Sequence, residues 1–213
     1  MAYILGFFAA DGYMVKNKRG AHFVEFYITD ADILRRIRRA LNSNHSLSRI
    51  EPRSINHKPS FRLQIGSREM FHDLVALGFT QKKSKTLKLP TIPERYVSHY
   101  IRGYFDGDGN VYFRKHWVAA RNKKKWIFTT RFTCGCKTYL EDLLQLLHTC
   151  GLKKGFILSK YGGSGFELVF SHLDSLALYR LVYNTAHDTD FYLPRKYKLF
   201  RRAIRTLYPT MRV

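Results

Sequence analysis

The sequence is poor in acidic residues, and this shortage limits the classes of molecule that the protein can be expected to bind. Only 16 of its 213 residues are Asp or Glu, against 37 Lys and Arg, so the formal net charge is +21. So many positive charges repel one another in a compact fold and destabilise it. A polyanion is the usual partner, and nucleic acid is favoured because each neutralised phosphate releases a condensed counterion. A membrane surface is the alternative, but no basic amphipathic helix stands apart from the rest of the pattern, so we expect no membrane partner.

Proline, cysteine and long hydrophobic runs are also scarce. Six prolines without a Ser/Gly-rich stretch argue against an extended linker. Three cysteines are an odd number, which argues against a disulfide scaffold and is typical of a reduced protein. No run is long enough to span a membrane, and the apolar residues 2–10 lack the basic start of a signal peptide. We therefore expect an intracellular protein of the cytoplasm, nucleoid or an organelle matrix, which is not secreted.

One segment of the chain occurs twice. Residues 3–12 read YILGFFAADG and residues 100–109 read YIRGYFDGDG, so that Tyr, Ile, Gly, Phe, Asp and Gly recur at the same places. Asp11 and Asp108 occupy equivalent positions in the two copies. A single Asp-Gly pair is common in turns and carries little information, but two copies in one repeated frame are far more specific.

The hydrophobic periodicity repeats as well. Each half predicts a helix, two strands, a helix, two shorter strands and a helix, and short connections favour antiparallel pairing. We predict an α+β fold, a pseudo-twofold pair of αββαββα halves. Pro90 and Pro93 mark the boundary, which gives an N-terminal half with linker at 1–94 and a C-terminal half at 95–213. Strands are expected at 13–18, 23–29, 110–117 and 126–133, and the basic stretch 119–125 is expected to connect the last two.

Small residues in the repeated helices predict a close helix pair. Gly6 and Ala10 are four residues apart, as are Gly103 and Gly107, and this spacing forms a smooth strip on one helix face. In parallel helices, both aspartates arrive at the same end, where the helix dipole is negative and the carboxylates repel each other. Divalent cations relieve that repulsion, and Mg²⁺ prefers oxygen ligands and pairs with phosphate.

The two segments resemble the LAGLIDADG motifs of homing endonucleases, in the branch that carries two motifs in one chain. The resemblance covers nearly the whole chain, including the Lys-Ser-Lys-Thr-Leu segment before the second motif. It implies a monomer whose two antiparallel sheets form a saddle in the DNA major groove, with the motif helices packed at the centre. It also implies that Asp11 and Asp108 hold the catalytic metal ions, Mg²⁺ with Mn²⁺ or Ca²⁺ as alternatives, helped by the carbonyls of Ala10 and Gly107. Ala9 stands where the second motif has Asp106, at a position that the family does not use for metal.

Strand alternation predicts the residues that face DNA. The polar face comprises Asn110, Tyr112, Arg114, His116, Thr129, Arg131 and Thr133 in the second half, and Glu25, Tyr27, Arg62 and Gln64 in the first. Basic residues beside the strands are assigned to phosphates: Lys16, Lys18, Arg19, Lys82, Lys83, Lys85, Lys123, Lys124, Lys125, Arg195, Lys196 and Lys198. The resemblance also calls for a basic residue and polar groups near the scissile phosphates, for which Arg62, Gln64 and Lys160 are candidates.

Three functions remain open at this point. The first is a metal-dependent, site-specific endonuclease that cuts both strands of a long double-stranded DNA target, as in intron homing. The second is a binding protein on the same scaffold, either an intron maturase that binds RNA or a DNA-binding protein that does not cleave. The third is an unrelated basic structural protein, which the repeated Asp-Gly frame disfavours.

Overall fold

A computed structural model describes residues 1–52, 54, 56–184 and 191–210, except for the side chains of residues 121 and 161. The described residues form two compact units. The first contains Met1–Asp108 together with 191–193, and the second contains 109–184 and 194–210. The division falls after the second repeated helix because that helix packs against the first one. The boundary predicted between residues 94 and 95 lies just before the second copy of the sequence repeat. The division into domains at that point stays a prediction.

The first unit is a four-stranded antiparallel sheet with helices on its apolar face. The sheet order is β1-β2-β4-β3, and the inward-facing Val24, Phe26 and Leu63 are fully buried. Its elements are α1 (Ala2–Asp11), β1 (Gly12–Lys16), β2 (His22–Ile28), α2 (Ala31–Ala40), β3 (Leu47–Ile50), β4 (Ser60–Gly66), α3 (Arg68–Ala76) and α4 (Val97–Asp108).

The second unit repeats this arrangement. Its sheet has the order β5-β6-β8-β7, and Phe132 and Leu168 are fully buried at its centre. The elements are β5 (Gly109–Val118), β6 (Lys123–Cys134), α5 (Lys137–Thr149), β7 (Phe156–Ser159), β8 (Phe166–Ser171), α6 (His172–Tyr183) and α7 (Pro194–Leu207).

The strand registers show that the two sheets are copies of one pattern. Gly12 pairs with Phe26, and Gly109 pairs with Phe132. Each phenylalanine then pairs with a leucine on the next strand, Phe26 with Leu63 and Phe132 with Leu168. The predicted α+β class and the pair of antiparallel halves are therefore confirmed.

One expectation about the second half was wrong, and one helix was missed. The lysines at 123–125, expected in a connection, belong to β6, where Lys124 pairs with Trp117 and Lys125 with His116. The hairpin extends because its strand partners, Trp117 among them, are good strand formers. The basic segment from Arg195 lies in α7, which was not predicted as a helix; Pro194 stands at its first position, where the missing N–H is harmless.

A further expectation concerned membranes. Within the part of the chain that the structure describes, every helix is too short or too polar to cross a bilayer.

Candidate active site

The repeated helices α1 and α4 contact each other through backbone atoms. A methyl group placed on Gly6 would lie 2.0 Å from the carbonyl oxygen of Tyr100, and one on Gly103 would lie 2.0 Å from that of Tyr3. Further along, a methyl group on Gly107 would lie 2.4 Å from the Cβ atom of Ala10. Contacts that advance together along both helices mean that α1 and α4 run parallel. The predicted strip of small residues thus lies at the crossing.

This parallel packing brings the carboxyl ends of the two motifs together. A Cβ atom on Gly107 would lie 3.2 Å from Oδ2 of Asp11, so the Asp11 carboxylate rests against the residue that precedes Asp108. Both aspartates are partly buried. The pKa of the Tyr13 phenol is raised by burial first, and then by the negative charges of Asp11 and Asp108. One phenol therefore senses both carboxylates, which converge at this end of the helix pair.

The donor set fits a hard divalent cation. Two carboxylates at the negative ends of two helices concentrate negative charge, and oxygen ligands suit Mg²⁺ or Ca²⁺. The described residues contain no group of three His, Cys, Asp or Glu that could hold a metal ion by itself. Mg²⁺ often binds through one or two carboxylates and completes its shell with water and substrate phosphates, so two aspartates with the neighbouring carbonyls are a sufficient protein contribution.

A buried lysine lies at the same end of α1. Nζ of Lys83 donates to the carbonyl oxygens of Ala9 at 2.8 Å and Ala10 at 3.0 Å. Its side chain is 8% exposed, and the ammonium group lies 5.8 Å from the centre of the Phe8 ring. A cation at a helix C-terminus is favourable. The carbonyl of Ala10, predicted as a metal ligand, is thus already held by a cation next to Asp11.

Sequence reasoning assigned Lys83 to a phosphate contact and did not identify this position. The available signal was the repeat itself. Aligning the segment from Lys82 with the segment from Arg195 matches Lys83 to Lys196, and both of these lysines are buried. A pair of buried lysines at equivalent positions is unusual, because lysine is almost never fully buried without a partner.

Asp106 has a structural role. This carboxylate is fully buried, and it accepts hydrogen bonds from the Tyr3 hydroxyl at 2.8 Å and from the Leu193 amide at 2.9 Å. Its hydrogen bonds explain how an acidic residue can lie inside the helix pair. The difference between Ala9 and Asp106 therefore does not touch the two converging carboxylates.

Asp11 also borders an open depression of about 540 Å³ on the first unit. The depression is lined by Tyr13, Glu25, Tyr27 and Ser60 among others. Its lining includes two residues predicted to face DNA, Glu25 and Tyr27. The end of α1 and the polar face of the first sheet are therefore continuous.

The polar face of the first sheet has the predicted alternation. Tyr13, Glu25 and Gln64 stand in one row across β1, β2 and β4, and Gln64 Nε2 donates to the Glu25 carboxylate. Tyr27 and Arg62 form the next row. Arg62 Nε is buried without a hydrogen-bond partner among the described residues.

The second sheet presents a matching face. Asn110 pairs with Arg131, and Tyr112 pairs with Thr129. Arg131 forms an ion pair of 3.0 Å with Glu167 on the neighbouring strand, while its Nε has no hydrogen-bond partner in the described part of the chain. Thr133 lies on this face, as do Arg114 and His116, and the Tyr112 hydroxyl and His116 Nε2 are 2.5 Å apart.

Six of the twelve basic residues assigned to phosphates lie at the two β-hairpins, whereas Lys83 and Lys196 are buried, which contradicts their assignment to phosphates. Lys16, Lys18 and Arg19 lie at the exposed β1–β2 hairpin, and the lysines at 123–125 are exposed at the β5–β6 hairpin. Of the candidates for the basic and polar groups near the scissile phosphates, Arg62 and Gln64 lie on β4, and Lys160 directly follows β7. Lys83 is the basic residue that the structure places at the end of α1.

Comparisons with known proteins agree with this architecture. Residues 1–77 match the model of the LAGLIDADG-like domain family. The meganuclease I-SmaMI bound to uncleavable DNA is 14% identical, with a TM-score of 0.62 over 96% of this chain and 87% of that one. The I-LtrWI LAGLIDADG homing endonuclease bound to target DNA is 12% identical, with a TM-score of 0.62 over 98% of this chain and 90% of that one.

Residues 1–77, which contain the first repeated segment, therefore resemble a LAGLIDADG-like domain. The described chain has the fold of these solved homing endonucleases. A probable translation initiation factor IF-2 of Thermococcus kodakarensis is 31% identical over 104 residues. The matched part is 47% of this chain and 8% of that relative, so the chain spans only a small part of the curated protein that it matches.

Proposed function

We propose that this chain is a site-specific LAGLIDADG homing endonuclease that acts as a monomer and hydrolyses both strands of a long double-stranded DNA target. The convergence of Asp11 and Asp108 at one end of the parallel helix pair carries this proposal. A carboxylate pair at negative helix ends is an unfavourable arrangement without a bound cation. The net charge of +21 and the polar sheet faces supply the surface for a polyanionic substrate.

Each group has a role that its position allows. Asp11 and Asp108, with the carbonyl of Gly107, would hold divalent cations of the Mg²⁺ type, while the carbonyl of Ala10 accepts a hydrogen bond from Lys83. Such ions activate water and stabilise the leaving oxygen in phosphodiester hydrolysis. Lys83, fixed by two backbone carbonyls, provides a positive charge beside Asp11 and balances charge on the scissile phosphate. The polar faces of the two sheets bind base edges, and the lysines at the strand ends bind phosphates.

The direct test is a cleavage selection from a library of randomised duplexes, with Mg²⁺ and with EDTA. We expect recovery of one asymmetric target family with Mg²⁺ and none with EDTA, because the two sheet faces carry different side chains. Salt-sensitive binding of duplexes without any cleavage would favour the non-cleaving DNA-binding alternative. Preference for structured intron RNA over duplex DNA would favour the maturase.

Substituting Lys83 by methionine is expected to lower the cleavage rate by roughly a hundredfold, the effect of removing one fixed electrostatic group from a reaction centre. Target affinity should change only a few-fold, because the ammonium group is buried and does not contribute to the exposed phosphate-binding surface. Single-turnover cleavage on the selected target measures the rate, and Lys82→Met, at an exposed neighbouring lysine, is the matched control. Equal effects of K82M and K83M would contradict the assignment.

Replacing Arg62 by alanine is expected to weaken binding of the selected target by about 1–3 kcal/mol and to relax the preference at one base pair, as for an arginine that contacts a base edge. Lys18→Ala should instead weaken binding of all duplexes equally and lower the salt slope by about one. Both affinities are measured by titration at several salt concentrations. An R62A variant that loses affinity equally for every sequence would assign Arg62 to a phosphate.

A further inference from the structure

The outer edge of the second sheet exposes apolar side chains. Phe156 is 51% exposed and Leu158 is 50% exposed, and both belong to β7, the edge strand. Alternate residues of a strand share a face, so these two point the same way. The residue between them, Ile157, pairs with the buried Leu168 and faces the core.

The exposed apolar pair lies on the face proposed to bind DNA. Phe156 pairs with Val169, Val169 with Arg131, and Arg131 with Asn110, so one row crosses the whole sheet. Leu158 pairs with Glu167 in the next row. In each row, the residues on the inner strands are mostly polar, and the residue on the edge strand β7 is apolar.

The first sheet lacks this feature. The registers of the two sheets correspond. Ser48 pairs with Arg62 in the first sheet, as Leu158 pairs with Glu167 in the second. Ser48 is therefore the counterpart of Leu158. Gln64 is likewise the counterpart of Val169. Ser46, just before β3, stands at the position of Phe156 and is exposed. The core does not dictate this difference, since the edge positions are exposed in both units.

Cations bracket the apolar edge. Lys153 and Lys154 precede β7, and Lys160 follows it. An exposed apolar edge strand is a hazard for self-association, whereas cations at both ends match the two phosphate backbones that border a major groove. Inside that groove, the one apolar feature of a base pair is the C5-methyl group of thymine.

We propose that the β7 edge recognises thymine through its methyl group, with Phe156 and Leu158 as specificity-determining residues, while the corresponding edge of the first sheet has no such preference. The inference rests on the proposed function, because it requires that these sheet faces bind duplex DNA. It adds that the two halves of the target are recognised by different chemistry, apolar contact at one outer end and hydrogen bonding at the other.

The test uses deoxyuridine, which pairs like thymidine but lacks the methyl group. Duplex targets are selected by binding to the full chain in EDTA, and each thymine of the selected target is then replaced singly by deoxyuridine. At the positions contacted by Phe156 and Leu158, we expect affinity to fall about fourfold for each methyl group, the factor that burial of one such group provides.

Variants identify the side chains responsible. Phe156→Ser and Leu158→Ser, which install the residue type found in the first sheet, should bind thymine and uracil targets equally while unfolding at the wild-type temperature. Ser48→Leu is the matched reverse change, and we expect it to create a thymine preference in the other half of the target.

Four results would overturn the inference. Equal affinity of the wild type for thymine and uracil targets would reject it, and so would a ratio of thymine to uracil affinity that stays unchanged in F156S and L158S. If cleavage still requires Mg²⁺ and Asp11 in that case, the proposed nuclease function stands. A failure to bind any duplex would reject both proposals. A wild-type dimer that L158S converts to a monomer would instead assign the edge to contact between copies of the chain.

Discussion

Replacing Asp11 by asparagine is expected to reduce the cleavage rate on the selected target by more than about a thousandfold. This effect exceeds the loss of rate that follows removal of one neutral hydrogen-bond donor from an active site. Asparagine keeps the size of the side chain but removes the charge that would bind a divalent cation in the proposed site. Asp108→Asn should have the same effect, because both carboxylates converge on the Gly107 end of the helix pair. Single-turnover cleavage in Mg²⁺ provides the rate.

The same substitutions should leave folding and target binding intact. Each aspartate stands at the negative end of a helix, so neutralising it is expected to leave the free energy of unfolding unchanged or raised by a few tenths of a kcal/mol. Glu25→Gln is the matched control, since Glu25 lines the same depression as Asp11 but bonds to Gln64. We expect E25Q to alter base preference and to keep the cleavage rate. A D11N variant that still cleaves at the wild-type rate would remove Asp11 from the reaction.

The second large effect concerns the helix pair. Gly103→Ala should destabilise the first unit by about 3 kcal/mol or more, at the upper end of overpacking effects, because the added methyl would lie 2.0 Å from the carbonyl oxygen of Tyr3. Backbone atoms of a packed helix cannot rotate aside as a side chain can. Thermal and denaturant unfolding measure the change, and cleavage should fall with it as the carboxylates separate.

Gly66→Ala is the control for that substitution. Gly66 ends β4 in an exposed position, and a methyl group there would lie 3.6 Å from its nearest neighbour, an ordinary van der Waals contact. We expect G66A to change stability by less than about 0.5 kcal/mol, as for most surface substitutions. Similar losses in G66A and G103A would mean that the close crossing of α1 and α4 does not stabilise the protein.

The sequence alone predicted the features that depend on local periodicity. The glycine spacing in the two motifs predicted a close pair, and the alternation along β2 and β4 predicted the polar face that carries Glu25 and Arg62. These features follow from side-chain periods of a helix or strand, which a single sequence displays. The repeat itself added the correspondence between Asp11 and Asp108.

Features that depend on distant contacts were missed. Lys83 lies 73 residues after Ala10, whose carbonyl it contacts, and no local pattern distinguishes it from its exposed neighbour Lys82. The lysines at 123–125 read as a polar connection because their strand character comes from pairing with 116–118 across the hairpin. Cross-strand partners decide such positions more than intrinsic propensity does.

The most direct test of the account is to locate bound metal in crystals of the chain with its selected DNA target, using the anomalous scattering of Mn²⁺. We predict density within about 2.2 Å of carboxylate oxygens of Asp11 and Asp108, beside the scissile phosphates. Metal bound elsewhere, or two carboxylates that face away from the DNA, would contradict the proposed nuclease site.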